Sequence, residues 1–179
     1  MLATALHRGI LIPVIGCFLL ISQAESQERI GNATRLNVVF FLIDDLGWMD
    51  LGCQGSQYYR TPNIDRLARE GVRFTDAYAA CTVCSPTRAA VMTGKYPARL
   101  LLTQWLPSGR WSPTKNRMQE ARYLSNLPLE EVTVAEALRE AGYRTGFIGK
   151  WHLGTSTYYY PEHQGFDVNV AGNNMGNPG

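Results

Sequence analysis

Basic runs are absent from this 179-residue sequence, and its net charge of +2 is small. A nucleic-acid partner asks for a basic stripe or patch to neutralise phosphates, so that class of function drops out. Apolar runs long enough to cross a bilayer are lacking too. A helical span takes about 20 apolar residues. The candidate from Ile10 to Ile21 is shorter and is broken by Pro13 and Gly16. Internal repeats and a linker are also missing, so the chain reads as one ordinary domain. Cysteine is scarce, at four residues, while the hydrophobic fraction of 45% is enough to bury a core.

The short apolar run has the flanks of a secretory signal. His7 and Arg8 precede it, and Ser22-Gln23-Ala24 supplies a small-x-small cleavage site after Ala24. A retained anchor is the alternative. Lipid attachment at Cys17 is disfavoured because Phe18 to Ile21 continue the apolar segment. Residues 1–24 thus read as a signal peptide and 25–36 as a flexible mature N-terminus, in a secreted or periplasmic protein with no stable membrane span. Asn32-Ala33-Thr34 is a glycosylation sequon. Cleavage removes Cys17 and leaves Cys53, Cys81 and Cys84, an odd number in a compartment that permits disulfides. One of the three is expected to be special; the other two pair or stay buried.

Cys84-Ser85-Pro86-Thr87-Arg88 is where the chemistry gathers. Proline lacks a backbone donor and suits the first turn of a helix, and serine suits the cap before it. The pattern predicts a short helix over 86–93, capped by Ser85 and closed by Gly94. Cys84 then lies just outside a helix N-terminus, where free N–H groups and the helix dipole favour an anion. Arg88 adds a fixed positive charge about one turn further on. A reactive side chain facing a small oxyanion is the expectation.

Asn37 to Ile43 is a continuous apolar, β-branched run that predicts a strand buried on both faces of an α/β sheet. It ends at Asp44-Asp45-Leu46-Gly47. Ligands collect at the carboxyl ends of such strands, and adjacent carboxylates ask for a cation between them. Calcium or magnesium would serve; an ordinary turn is the alternative. Thr61-Pro62-Asn63 opens a helix that Gly71 ends, with Ile64, Leu67 and Ala68 on one face. Thr133-Val134-Ala135-Glu136 is a capping box opening a helix to about Ala141, burying Val134, Ala135 and Leu138. Tyr143 to Ile148 then predicts a strand. In an extended continuation Lys150 and His152 point the same way and could hold and protonate an anion. Trp105 and Trp111 read as packing of an irregular stretch over 100–130, with stacking on a sugar or aryl group the alternative. Tyr158-Tyr159-Tyr160 reads as cover for the core.

Cys84 to Gly94 closely resembles the signature of the type I sulfatases. Gly142 to His152 resembles the family's second signature, and Asp44-Asp45-Leu46-Gly47 resembles its metal-binding start. The resemblance implies an alkaline-phosphatase-like α/β fold with a central sheet flanked by helices. It implies hydrolysis of sulfate esters, sulfated carbohydrates among them. Cys84 would be oxidised by a maturation enzyme to formylglycine, whose hydrate is the nucleophile. Arg88 would stabilise that hydrate. Lys150 would contact both it and the sulfate, and His152 would assist proton transfer. Asp44, Asp45 and the modified Cys84 would bind calcium, magnesium being less suited. Family catalytic domains are longer, and their further metal ligands, histidine and lysine are not found here. Residues 37–179 therefore read as the N-terminal part of a catalytic domain.

Three other readings compete. Phosphonate and phosphodiester hydrolases of the same superfamily share the C-x-P-x-R nucleophile. A truncated remnant without activity would keep the same motifs. A thiol–disulfide oxidoreductase would use Cys81-Thr82-Val83-Cys84 as its C-x-x-C pair, but the helix signal starts after Cys84 rather than after Cys81.

Overall fold

The computed structural model describes residues 35–107, 118–119 and 121–176. The signal segment, the sequon and Trp111 lie outside the described residues. The chain divides between Ile43 and Asp44. In the first unit, residues 35–43 adopt neither helix nor strand, and Val38, Val39, Phe40 and Phe41 are exposed. The buried strand predicted over Asn37–Ile43 is therefore not formed. A strand with two apolar faces depends on ladder partners and covering layers rather than on its own sequence.

In the second unit four helices follow in chain order: α1 Pro62–Glu70, α2 Cys84–Thr93, α3 Pro97–Leu100 and α4 Val134–Glu140. Strands β1 Gly146–Ile148 and β2 Val168–Val170 pair in parallel, with Gly146, Phe147 and Ile148 opposite Val168, Asn169 and Val170. Short 3-10 turns at Thr157–Tyr159 and Pro161–Gln164 lie on the connection between them.

The helix boundaries follow local chemistry. Gly94 ends α2 at φ +67°, a left-handed position that glycine adopts without a Cβ penalty. The capping box of α4 is complete: Thr133 Oγ1 accepts from the Glu136 N–H at 3.2 Å, and Glu136 Oε2 accepts from the Thr133 N–H at 2.7 Å. Thr133 Oγ1 also donates to the Gln164 carbonyl at 2.7 Å, tying the start of α4 to the β1–β2 connection. Ala135 of α4 is buried and Leu138 half-buried, while Val134 is exposed. At α1 the expected cap works differently. Thr61 does not cap the helix; its hydroxyl accepts from the Gly52 N–H and donates to Asp65. Ile64 and Ala68 are half-buried, but Leu67 is exposed.

The core joins α2 and α3 to the segment after β1. Ala89, Met92, Leu100, Leu102, Leu127, Trp151 and Leu153 form one buried cluster. Phe147 and Phe166 pack on it, with ring centroids 5.1 and 6.0 Å from Trp151 in edge-on arrangements. The Trp151 indole N–H donates to the Tyr159 carbonyl at 2.8 Å, so its one polar atom is satisfied. Trp151 separates Lys150 from His152, so packing of the core fixes the backbone that carries both.

Candidate active site

Helix α2 begins two residues earlier than cap-and-proline reasoning predicts. Val83 is its N-cap and Cys84 its first residue, so Cys84 lies inside the helix rather than just before it. Ser85 is not the cap. Its side chain is buried and its Oγ accepts from the Leu106 N–H at 3.1 Å. That distant partner takes the oxygen that would otherwise have bonded within the first turn. Cys84 is a free, half-buried thiol. Cys53 and Cys81 are also free and half-buried, so the two do not pair. Thr87 Oγ1 donates to the Cys81 carbonyl at 2.8 Å, which fastens the approach loop to the helix.

Arg88 lies one helical turn beyond Cys84 and is buried. Its Nη1 donates to the Lys150 carbonyl at 2.6 Å and its Nη2 to Asp44 Oδ1 at 3.1 Å. Lys150 Nζ donates to Asp44 Oδ2 at 2.6 Å. The carboxylate of Asp44 is thus gripped by two cations, one on each oxygen. Burial pushes its pKa up, but hydrogen bonds and charge from Lys150 and Arg88 outweigh this and hold it below the usual carboxylate value. Two cations around one carboxylate leave a positive excess. The Nε of Arg88 is buried and has no hydrogen-bond partner among the described residues, so the guanidinium keeps a spare donor.

His152 does not continue an extended strand alongside Lys150. Gly149 turns the chain at φ +103°, and His152 itself adopts φ +60°, so the segment is not a regular extended continuation of β1. The His152 N–H donates to the Asn173 carbonyl at 3.2 Å, and the ring Nε2 meets the Leu106 carbonyl in a short contact. The ring is buried. Burial pushes its pKa down, the Leu106 hydrogen bond opposes this, and the charges of Lys150 and Arg88 reinforce the lowering. Asp45 is exposed and also left-handed, at φ +53°. Two of the six candidates therefore sit in sparsely populated backbone conformations, which in folded proteins collect at functional sites.

The structure therefore brings Asp44, Arg88 and Lys150 into direct contact and hangs Cys84 on the helix that carries Arg88. The His152 ring is held against Leu106, within range of the Lys150, Arg88 and Asp44 charges. No described group of three or more histidine, cysteine or acidic side chains is arranged to hold a metal ion. Calcium takes six to eight oxygen ligands. Asp44, engaged on both oxygens, and Asp45 do not make such a site by themselves. Sequence reasoning did not reach Leu106, which acts through its backbone, or the anchoring role of Trp151. Ser85 carried a usable signal as a polar residue between the cysteine and the proline, but it pointed to capping.

A family model described as Sulfatase matches residues 36–178. The chain belongs to the sulfatase family. It is 41% identical to human steryl-sulfatase over 166 residues, which cover 89% of this chain and 26% of that protein. It is 46% identical to human arylsulfatase A over 134 residues, covering 73% of this chain and 24% of that protein. The crystal structure of Ps i-CgsB superimposes with a TM-score of 0.59 at 38% identity, covering 73% of this chain and 27% of that one. A second structure of that protein is a complex with k-i-k-neocarrahexaose. The chain thus spans about a quarter of the length of the curated relatives it matches. The fold is α/β and alkaline-phosphatase-like, a partial sulfatase domain. Family membership disfavours both the dithiol reading and the phosphonate or phosphodiester hydrolase.

Proposed function

We propose that this sulfatase-family chain carries the nucleophile and part of the sulfate-binding apparatus of a sulfuric ester hydrolase. The observation that carries the reading is the Arg88–Asp44–Lys150 contact beside the helix that opens with Cys84. As a S–O bond breaks, negative charge grows on the sulfuryl oxygens and the leaving oxygen. Fixed positive groups stabilise that charge most when they need no reorganisation.

Cys84 is the residue assigned to conversion into formylglycine by a maturation enzyme. Once formed, the aldehyde hydrate supplies a hydroxyl nucleophile. Arg88, anchored through Asp44 and the Lys150 carbonyl, orients the first turn of α2 and offers its spare Nε–H to an oxyanion. Lys150 is assigned to the sulfate oxygens, for which its ammonium exchanges or shares Asp44. His152, neutral at physiological pH, is assigned to proton transfer during sulfate release. Asp44 and Asp45 are assigned to a cation, calcium in preference to magnesium, as two members of a larger oxygen set.

The substrate class is sulfate esters, sulfated carbohydrates included. The relatives' names and the oligosaccharide complex of the neighbouring structure support this range. The signal over 1–24 supports passage through the secretory route, and among the described residues no helix is long and apolar enough to cross a membrane. Mass spectrometry of tryptic peptide 74–88 from the full chain, made in a host with the maturation system, tests the reading. An aldehyde at position 84 is expected. An unmodified cysteine, with a control substrate converted in the same cells, would overturn it.

A further inference from the structure

One residue joins the start of the nucleophile helix to the candidate proton carrier. Leu106 is buried, and both polar groups of its backbone are used. Its N–H donates to Ser85 Oγ at 3.1 Å, next to Cys84, and its carbonyl meets His152 Nε2. Taken as a hydrogen bond, this contact puts its hydrogen on Nε2, since a carbonyl oxygen has only lone pairs to offer. A neutral imidazole carries one such hydrogen. Nδ1 is then a bare lone pair, and it is buried with no hydrogen-bond partner among the described residues. A lone pair desolvated in this way is costly unless another group supplies a donor.

We infer that Ser85 and the Leu106 peptide form a positioning relay that locks His152 in the Nε2–H tautomer and presents Nδ1 as its proton-accepting atom. Ser85 holds the Leu106 segment, and the Leu106 carbonyl holds the ring. The polar residue between Cys84 and Pro86 thereby acquires a role other than capping. The burial that disfavours the imidazolium acts in the same direction, since a protonated ring would lose the bare nitrogen. The meaning of the relay for catalysis rests on the sulfatase reading; the tautomer does not.

Long-range proton–nitrogen correlation of the full chain labelled at histidine nitrogens tests the assignment at pH 7.5. The His152 signals are identified by their loss in His152→Gln. Protonated Nε2 and a bare, pyridine-like Nδ1 are expected. A protonated Nδ1, or fast averaging of the two tautomers, would overturn the relay. In Ser85→Ala the two nitrogens should move toward averaging, and Ser85→Thr should restore the locked pattern. With conversion of Cys84 verified by mass, kcat of Ser85→Ala on an aryl sulfate should fall roughly tenfold to a hundredfold, with KM little changed. Unchanged tautomer signals in Ser85→Ala would remove Ser85 from the relay. If that variant does not fold, the unsubstituted spectrum still decides the tautomer. The predicted tautomer in a chain whose Cys84 stays unconverted, with the control substrate converted in the same cells, would leave the relay standing and sink the sulfatase reading alone.

Discussion

Lys150 Nζ donates to Asp44 Oδ2 at 2.6 Å, across 106 positions of sequence. The lysine is largely sheltered, while the Asp44 side chain is 40% exposed. Exposure of one partner keeps the pair's contribution to stability small, on the order of 1 kcal/mol or less. Its value lies in holding an ammonium beside the helix that bears Cys84.

Lys150→Ala should therefore separate stability from activity. Denaturant unfolding of the full chain should shift little. The rate on an aryl sulfate should fall by about a hundredfold to a thousandfold, the usual loss when a preorganised charge-stabilising donor is removed. A rate within a few fold of the unsubstituted protein would show that Lys150 is only a structural counter-ion of Asp44.

Trp151 should behave in the opposite way. It lies in the buried core cluster, packed edge-on against Phe147 and Phe166. Trp151→Ala should cost about 3–5 kcal/mol in unfolding free energy, as large-to-small core changes do. Activity should be lost with the fold, because Lys150 and His152 flank it. Trp151→Phe should retain most of the packing but strand the Tyr159 carbonyl, and should lie between the two. Equilibrium unfolding measures both.

What the sequence disclosed follows from the range of each interaction. Gly94, the Thr133–Glu136 box and the turn of α1 at Gly71 are settled within a few residues, and they were legible. The contact of Asp44, Arg88 and Lys150 spans most of the chain. Motif order pointed to it, but no local rule gives its geometry. Ser85 illustrates the limit: a serine before proline satisfies every local rule for a cap, yet a peptide N–H 21 positions away holds its oxygen. The parallel partner of β1, Val168–Val170, lay in a Gly- and Asn-rich stretch where three residues are too few to show a period. Asn37–Ile43 failed for the reverse reason. Its apolar run expresses a preference for burial, and only long-range pairing turns that into a strand.

Thr133→Ala should destabilise the full chain by about 1–3 kcal/mol. Loss of an N-cap costs about 0.5–2 kcal/mol, and the Gln164 carbonyl loses its donor as well. Thr133→Ser keeps both hydrogen bonds and should recover most of the difference. Chemical denaturation of the three proteins side by side gives the comparison. Equal midpoints for the alanine and serine variants would mean that the hydroxyl contributes nothing.

His152 sets a stability limb on the acid side of neutrality. Its pKa in the folded protein lies below the 6.5 of a free imidazole, chiefly because burial disfavours the charged ring. Between the folded value and 6.5 the unfolded chain binds more protons than the folded one, so stability rises with pH across that interval. The contribution is complete above pH 6.5 and is lost as pH falls through the folded value. His152→Gln removes the titrating group and should flatten this limb, at some cost to stability at neutral pH. The measurement is unfolding free energy against pH for both proteins, with the difference between them taken. A difference curve that is level below pH 6.5 would show that His152 titrates alike in the folded and unfolded chains. A curve that instead favours the unsubstituted protein as pH falls would show a raised pKa, and with it a charged ring incompatible with a bare Nδ1.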